Sequence, residues 1–165
     1  MGRERLFWVS VVLFAGVLAL SAVLLPERVP LHFGAGGDVD RWGTRAQALT
    51  LDVLVGGGTV ALLAVLVLTA HRLPLEWVNV PHKDVWSAPE HEPELRRRLR
   101  EDLAEFGAAT VLLLAVVVVL APLHAARTGT GQLPWWAVAA FALYLAYAVL
   151  FGVRNVRTRY RPPSG

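Results

Sequence analysis

Residues 6–25, LFWVSVVLFAGVLALSAVLL, contain no Asp, Glu, Lys, Arg or His in 20 positions. The hydrocarbon core of a bilayer is about 30 Å thick and a helix rises 1.5 Å per residue, so about 20 residues cross it. Inside hydrocarbon a backbone must satisfy its own hydrogen bonds, which makes such a run a helix. Three more runs share the property: 53–70 with 18 residues, 106–123 with 18, and 133–153 with 21. The expected fold is all-α, a polytopic membrane protein of four transmembrane helices forming one domain over residues 1–165. A soluble bundle would need polar stripes at helical spacing, and none of the four runs has one. Arg3 and Arg5 give the first run a basic start. Its apolar length exceeds the roughly 7–15 residues of a signal-peptide core and no A-x-A site follows, so it is read as a retained span.

Orientation follows from Lys and Arg in the connecting segments. Arg3, Arg5, Arg72, Lys83, Arg96, Arg97, Arg98, Arg100, Arg154, Arg157, Arg159 and Arg161 fall on one side, 12 of the 16 basic residues. Arg28, Arg41, Arg45 and Arg127 fall on the other. This places the N-terminus and C-terminus in the cytoplasm of a multi-pass plasma-membrane protein, with a structured outer loop at 25–45. The isoelectric point near 9.9 is then a topology signal, and no nucleic-acid partner is implied. Membrane lipid is the expected partner of the basic juxtamembrane residues.

Outward from the first run, Trp8, Trp135 and Trp136 read as interfacial anchors. Gly16 and Gly56-Gly57-Gly58 mark points of close helix approach, with a kink expected at 56–58. Asp52 sits where the second span begins and reads first as a helix-start residue. Residues 71–105 form a cytoplasmic segment. Ser87-Ala-Pro-Glu90 has capping-box spacing, and Pro93 either bends that helix or moves its start to Glu94. The run from Glu94 reads as a solvated helix with Arg97–Glu101 and Arg98–Asp102 pairs. It flows into the helix pair of residues 106–153, where Tyr144 and Tyr147 share one face. The terminal Pro-Pro-Ser-Gly is expected to fray.

Chemistry is sparse. No acidic or basic group lies within the four runs, so an ion-coupled transport path lacks its binding groups. Ser10, Ser21, Thr59, Thr69 and Thr110 have no neighbouring base to activate them. With zero cysteines there is no thiolate or Cys-based metal chemistry, and no P-loop or HExxH motif occurs. The chain is therefore expected to be no enzyme and to use no cofactor. The loop 25–45 is where turn residues and polar groups gather: Pro26 and Pro30 restrain it and Gly34, Gly36 and Gly37 let it turn. His32, Asp38 and Asp40 form a loose set for a hard cation; turn-stabilising aspartates are the commoner use, and no metal is expected.

The series Leu25-Pro26, Val29-Pro30-Leu31-His32-Phe33 and Gly37-Asp38-Val39-Asp40-Arg41-Trp42-Gly43 resembles the bacterial membrane family called domain of unknown function 1648. That domain stands at the N-terminus of SdpI-like proteins. The resemblance covers the end of the first span, the loop and the start of the second span, about a quarter of the chain, within a family-like N-terminal part at residues 1–60. It implies a ligand surface at Pro30, His32, Phe33, Gly37, Asp38, Asp40, Trp42 and Gly43, open to a peptide toxin or envelope ligand. The segment 79–90 also looks like one in small bacterial relatives. It implies a contact for an intracellular regulatory protein through Asn79, Pro81, Lys83, Asp84, Trp86, Pro89 and Glu90. Immunity to a peptide toxin and envelope signalling are the implied roles. An accessory subunit of a membrane transporter or envelope enzyme is the alternative.

Overall fold

The structure is a computed structural model that describes residues 2–162. The expected fraying concerns residues 162–165, of which 163–165 lie outside the described part. Four long helices are joined by a hairpin and two linkers: α1 (Gly2–Leu24), β1 (Arg28–Phe33), β2 (Val39–Thr44), α2 (Arg45–Arg72), a short α3 (Lys83–Trp86), α4 (Glu92–Thr128) and α5 (Trp135–Arg159). The four long ones, α1, α2, α4 and α5, are each long and apolar enough to cross a membrane. At 37 residues, α4 is about 55 Å long at the helical rise, so its arginine-rich first turns extend past a core of about 30 Å.

The core lies between α1, α2 and α4. Phe7 and Phe14 of α1 pack with Val60 and Val67 of α2 and with Ala104, Ala108, Val111, Ala115 and Val119 of α4. Small residues set the spacing. A Cβ at Gly107 would stand 3.0 Å from the Phe7 ring, and one at Gly56 would stand 2.7 Å from the Phe14 ring. Two aromatic rings one heptad apart on α1 thus seat on glycines of two different helices. Gly16, by contrast, has nothing within 4 Å of such a Cβ, so no helix uses it. Where a kink is expected at 56–58, α2 carries a π-helical turn at Asp52–Gly57, and α4 carries a second one at Ala115–Leu120.

α5 joins the bundle through aromatic contacts. Phe106 lies 5.9 Å from Tyr144 and 6.3 Å from Tyr147, ring to ring. The hydroxyls of Thr110 and Tyr144 are 2.9 Å apart. Its other side is bare: Trp135 is 79 % exposed and Leu143 72 %.

Three sequence expectations change here. The all-α expectation omits an antiparallel hairpin, β1 on β2, in which Val29 faces Gly43 and Pro30 faces Trp42. Turn residues were legible in this stretch, whereas strand pairing is a long-range property. Ser87-x-x-Glu90 is no capping box: Ser87 Oγ donates to the Lys83 carbonyl at 2.8 Å, and α4 starts at Glu92 with Pro93 in its first turn. The face of α4 read as solvated is instead an interhelical ionic cluster. Arg97 does pair with Glu101, but Arg98 turns to Glu94 at 2.7 Å. Asp102, 7 % exposed, is taken by Arg3 at 3.2 Å, by Arg159, and by the Tyr160 hydroxyl at 2.7 Å. Glu105 holds Arg3 at 3.0 Å and Arg154 at 2.7 Å. These pairs bring the start of α1, the first turns of α4 and the end of α5 together at the end away from the hairpin.

Candidate functional site

Local chemistry builds the hairpin. Gly34 N–H donates to the Asp38 carbonyl at 2.8 Å, and Gly37 N–H to that of Gly34 at 2.9 Å. Gly37 has φ +84°, a left-handed conformation that L side chains resist. At the far end Thr44 opens α2 with a capping box: its hydroxyl accepts from Gln47 N–H, and the Gln47 side chain accepts from Thr44 N–H. The T-x-x-Q spacing was visible in the sequence and is the signal that marks where loop gives way to helix. The Arg45 guanidinium donates to the Ala22 carbonyl, fastening α2 to the end of α1. The hairpin is also tied to the linker before α5, where Val39 N–H donates to Gly131 and Leu133 N–H to Gly37. Its underside seats Leu25 and Val29 against Ala48 and Leu123.

Beneath it lies a cavity of about 430 Å³. Pro30, Leu31, His32 and Phe33 of β1 form one wall, and Ala48, Leu51, Asp52 and Val55 of α2 another. Val117, Val118 and Pro122 of α4 and Leu133 of the linker complete it. The lining is apolar except for His32 and Asp52, and both π-helical turns contribute to it. Such turns re-aim side chains and recur at functional sites. Asp52 is only 6 % exposed, and among the described residues no cation or hydrogen-bond donor pairs with its carboxylate. An ionised carboxylate out of water costs several kcal/mol unless it is paired. The cavity therefore favours a ligand that brings a positive charge or a donor to Asp52 while covering its walls with apolar groups. From the sequence Asp52 reads as a helix-start residue; α2 instead starts seven residues earlier, at Arg45, and Asp52 lies under β1 and α4, which only the fold brings over it.

The other residues expected in the loop site have mixed placements. Pro30, His32 and Phe33 line the cavity. His32 Nδ1 stands 2.7 Å from Asp40 Oδ1, with both side chains more than half exposed. Asp38 points elsewhere, accepting from Gln132 Nε2 at 3.3 Å, so the three do not converge. Among the described residues no group of three or more His, Asp or Glu is placed to hold a metal ion. Trp42 lies under the Arg28 guanidinium at 4.7 Å. Gly43 makes room for Leu31, whose side chain a Cβ there would overlap. These two support the hairpin and do not line the cavity.

In the segment 79–90, Asn79, Asp84, Pro89 and Glu90 are exposed, and Pro81 and Lys83 are half-buried. Trp86 is 2 % exposed and corrects the expectation of a free contact residue. It packs with Leu95 and Tyr160, its indole N–H donates to the Tyr160 carbonyl at 3.0 Å, and the Arg98 guanidinium lies 4.4 Å over its ring.

Residues 9–55 match the family described as Domain of unknown function (DUF1648). That stretch runs from early α1 through the hairpin to Val55, and so includes Pro30, His32, Asp52 and the rest of two cavity walls. The chain is also similar to an uncharacterized protein of Archaeoglobus fulgidus, 39 % identical over 62 residues. The match covers 34 % of this chain and 32 % of that one, so the chain spans about a third of the length of this curated relative. No solved structure matches.

Proposed function

We propose that the chain is a non-enzymatic, multi-pass protein of the plasma membrane that binds a peptide at its outer face, in the cavity under the hairpin. The single observation behind this reading is the unpaired Asp52 carboxylate within apolar walls. It suits a cationic side chain or terminal ammonium carried on an apolar segment. The Lys and Arg distribution supports cytoplasmic termini, and with it an outward hairpin. The resemblance to SdpI-like proteins supports immunity to a peptide toxin, with signalling to a regulatory protein through the exposed Asn79, Asp84, Pro89 and Glu90. The test is expression in a host killed by a secreted cationic peptide toxin. Protection is expected, and Asp52→Asn should abolish it at unchanged membrane abundance; wild-type chain that gives no protection refutes the reading. Orientation is checked separately with a membrane-impermeant thiol reagent, which should label Ala35→Cys and spare Ser87→Cys in intact cells.

A second reading, an accessory subunit of a transporter or envelope enzyme, draws on α5, whose apolar length is almost wholly unburied by the rest of this chain. Stoichiometric co-purification of a larger membrane subunit in mild detergent would favour it.

A further inference from the structure

At the end away from the hairpin, Arg3, Arg97, Arg98, Arg154, Thr158 and Arg159 line a second cavity, of about 300 Å³. Among the described residues no carboxylate belongs to its lining. The carboxylates that engage these arginines are Glu94, Glu101, Asp102 and Glu105, which hold them at 2.7–3.9 Å where the pair is with Arg3, Arg98 or Arg154. Arg97 and Arg159 close the set on Glu94, Glu101 and Asp102. Among the described residues, five guanidiniums meet four carboxylates, an excess of one positive charge. Each guanidinium carries five donors in a fork, more than these partners use; Arg154 Nε is buried with no hydrogen-bond partner among the described residues. Rigid forks gathered around a small space are the geometry that takes a tetrahedral oxyanion.

We propose that this cavity binds a phosphate group, and that its source is the headgroup of an anionic membrane lipid. The lipid is favoured because the exposed apolar side chains Val149, Leu150 and Val153 of α5 lie within a turn or so of Arg154. Acyl chains resting on them bring a headgroup to the arginines. Basic pockets between membrane helices bind anionic lipids in this way. The site is independent of the hairpin cavity and of its ligand.

The test titrates the purified full chain in phosphatidylcholine nanodiscs with short-chain phosphatidylglycerol, and in parallel with inorganic phosphate, following bound ligand by native mass spectrometry. Arg97→Gln is the variant and Thr158→Val the control: both side chains are exposed, and the Thr158 hydroxyl already donates to the Arg154 carbonyl at 2.8 Å. Circular dichroism confirms that each folds. Saturable binding of one phosphatidylglycerol, weakened about tenfold in Arg97→Gln and unchanged in Thr158→Val, supports the proposal. Phosphate binding with the same sensitivity but no lipid binding confirms the anion site and overturns the lipid as its source. Absence of binding by both, or binding that Arg97→Gln does not weaken, overturns the proposal.

Discussion

Gly56→Ala tests the packing that holds α1, α2 and α4 together. The added methyl would lie 2.7 Å from Phe14 Cζ and 3.2 Å from Cε2. Carbon atoms rest at about 3.5–4.0 Å, so ring or helix must retreat by about 1 Å. Phe14 is 3 % exposed, so its ring is held within the helix contact. Overpacking of this kind costs about 1–3 kcal/mol, while replacing glycine by alanine in a helix returns about 1 kcal/mol. The net change is ambiguous alone, so the measurement is a comparison. Gly58→Ala, two residues on, meets nothing within 4 Å and carries only the propensity gain. Gly56→Ala should therefore be about 1–3 kcal/mol less stable than Gly58→Ala in reversible detergent-to-SDS unfolding followed by far-ultraviolet circular dichroism. Phe14→Leu removes the colliding ring edge, so in the Gly56→Ala background its cost should shrink, with a coupling of about 1 kcal/mol. Two alanine variants of equal stability, or strictly additive effects with Phe14→Leu, would refute this account of the helix contact.

Two further changes probe the two ends. Thr44→Ala removes the capping box and should cost about 1 kcal/mol, seen as faster amide hydrogen exchange at Gln47; unchanged exchange would mean that the cap does not set the start of α2. Tyr160→Phe deletes the hydroxyl that donates to Asp102 at 2.7 Å and should cost about 1–3 kcal/mol. Burial, and next the Asp102 carboxylate, hold the Tyr160 phenol above the ordinary tyrosine range. As pH rises, the unfolded chain therefore loses this proton before the folded one does. The stabilisation is fully present below pH about 10 and falls away above it. The alkaline decline in stability should be shallower in Tyr160→Phe than in the wild type, and equal slopes would sink the argument.

How much was legible depends on the range of the interaction. Residues 6–25 and 133–153 announce their helices because exclusion of charge over about 20 positions is a local property. The shared face of Tyr144 and Tyr147 follows from helical spacing, and the turn at Gly34–Gly37 from residue types. The hairpin was half visible: its turn and its cap at Thr44 lie in the sequence, but the pairing of Val29 with Gly43 does not.

The two cavities belong to tertiary structure alone. Asp52 reads as a helix-start residue until β1 and the Val117–Pro122 stretch of α4 close over it. The arginines of α4 read as a solvated row until Arg3, Arg154 and Arg159 arrive from the two ends of the chain, and Trp86 reads as free until Tyr160, 74 residues away, covers it. Solvent preference is written residue by residue and survives in the sequence. Which distant side chains share one desolvated space is set by how the helices pack, because burial depends on neighbours far away in the sequence.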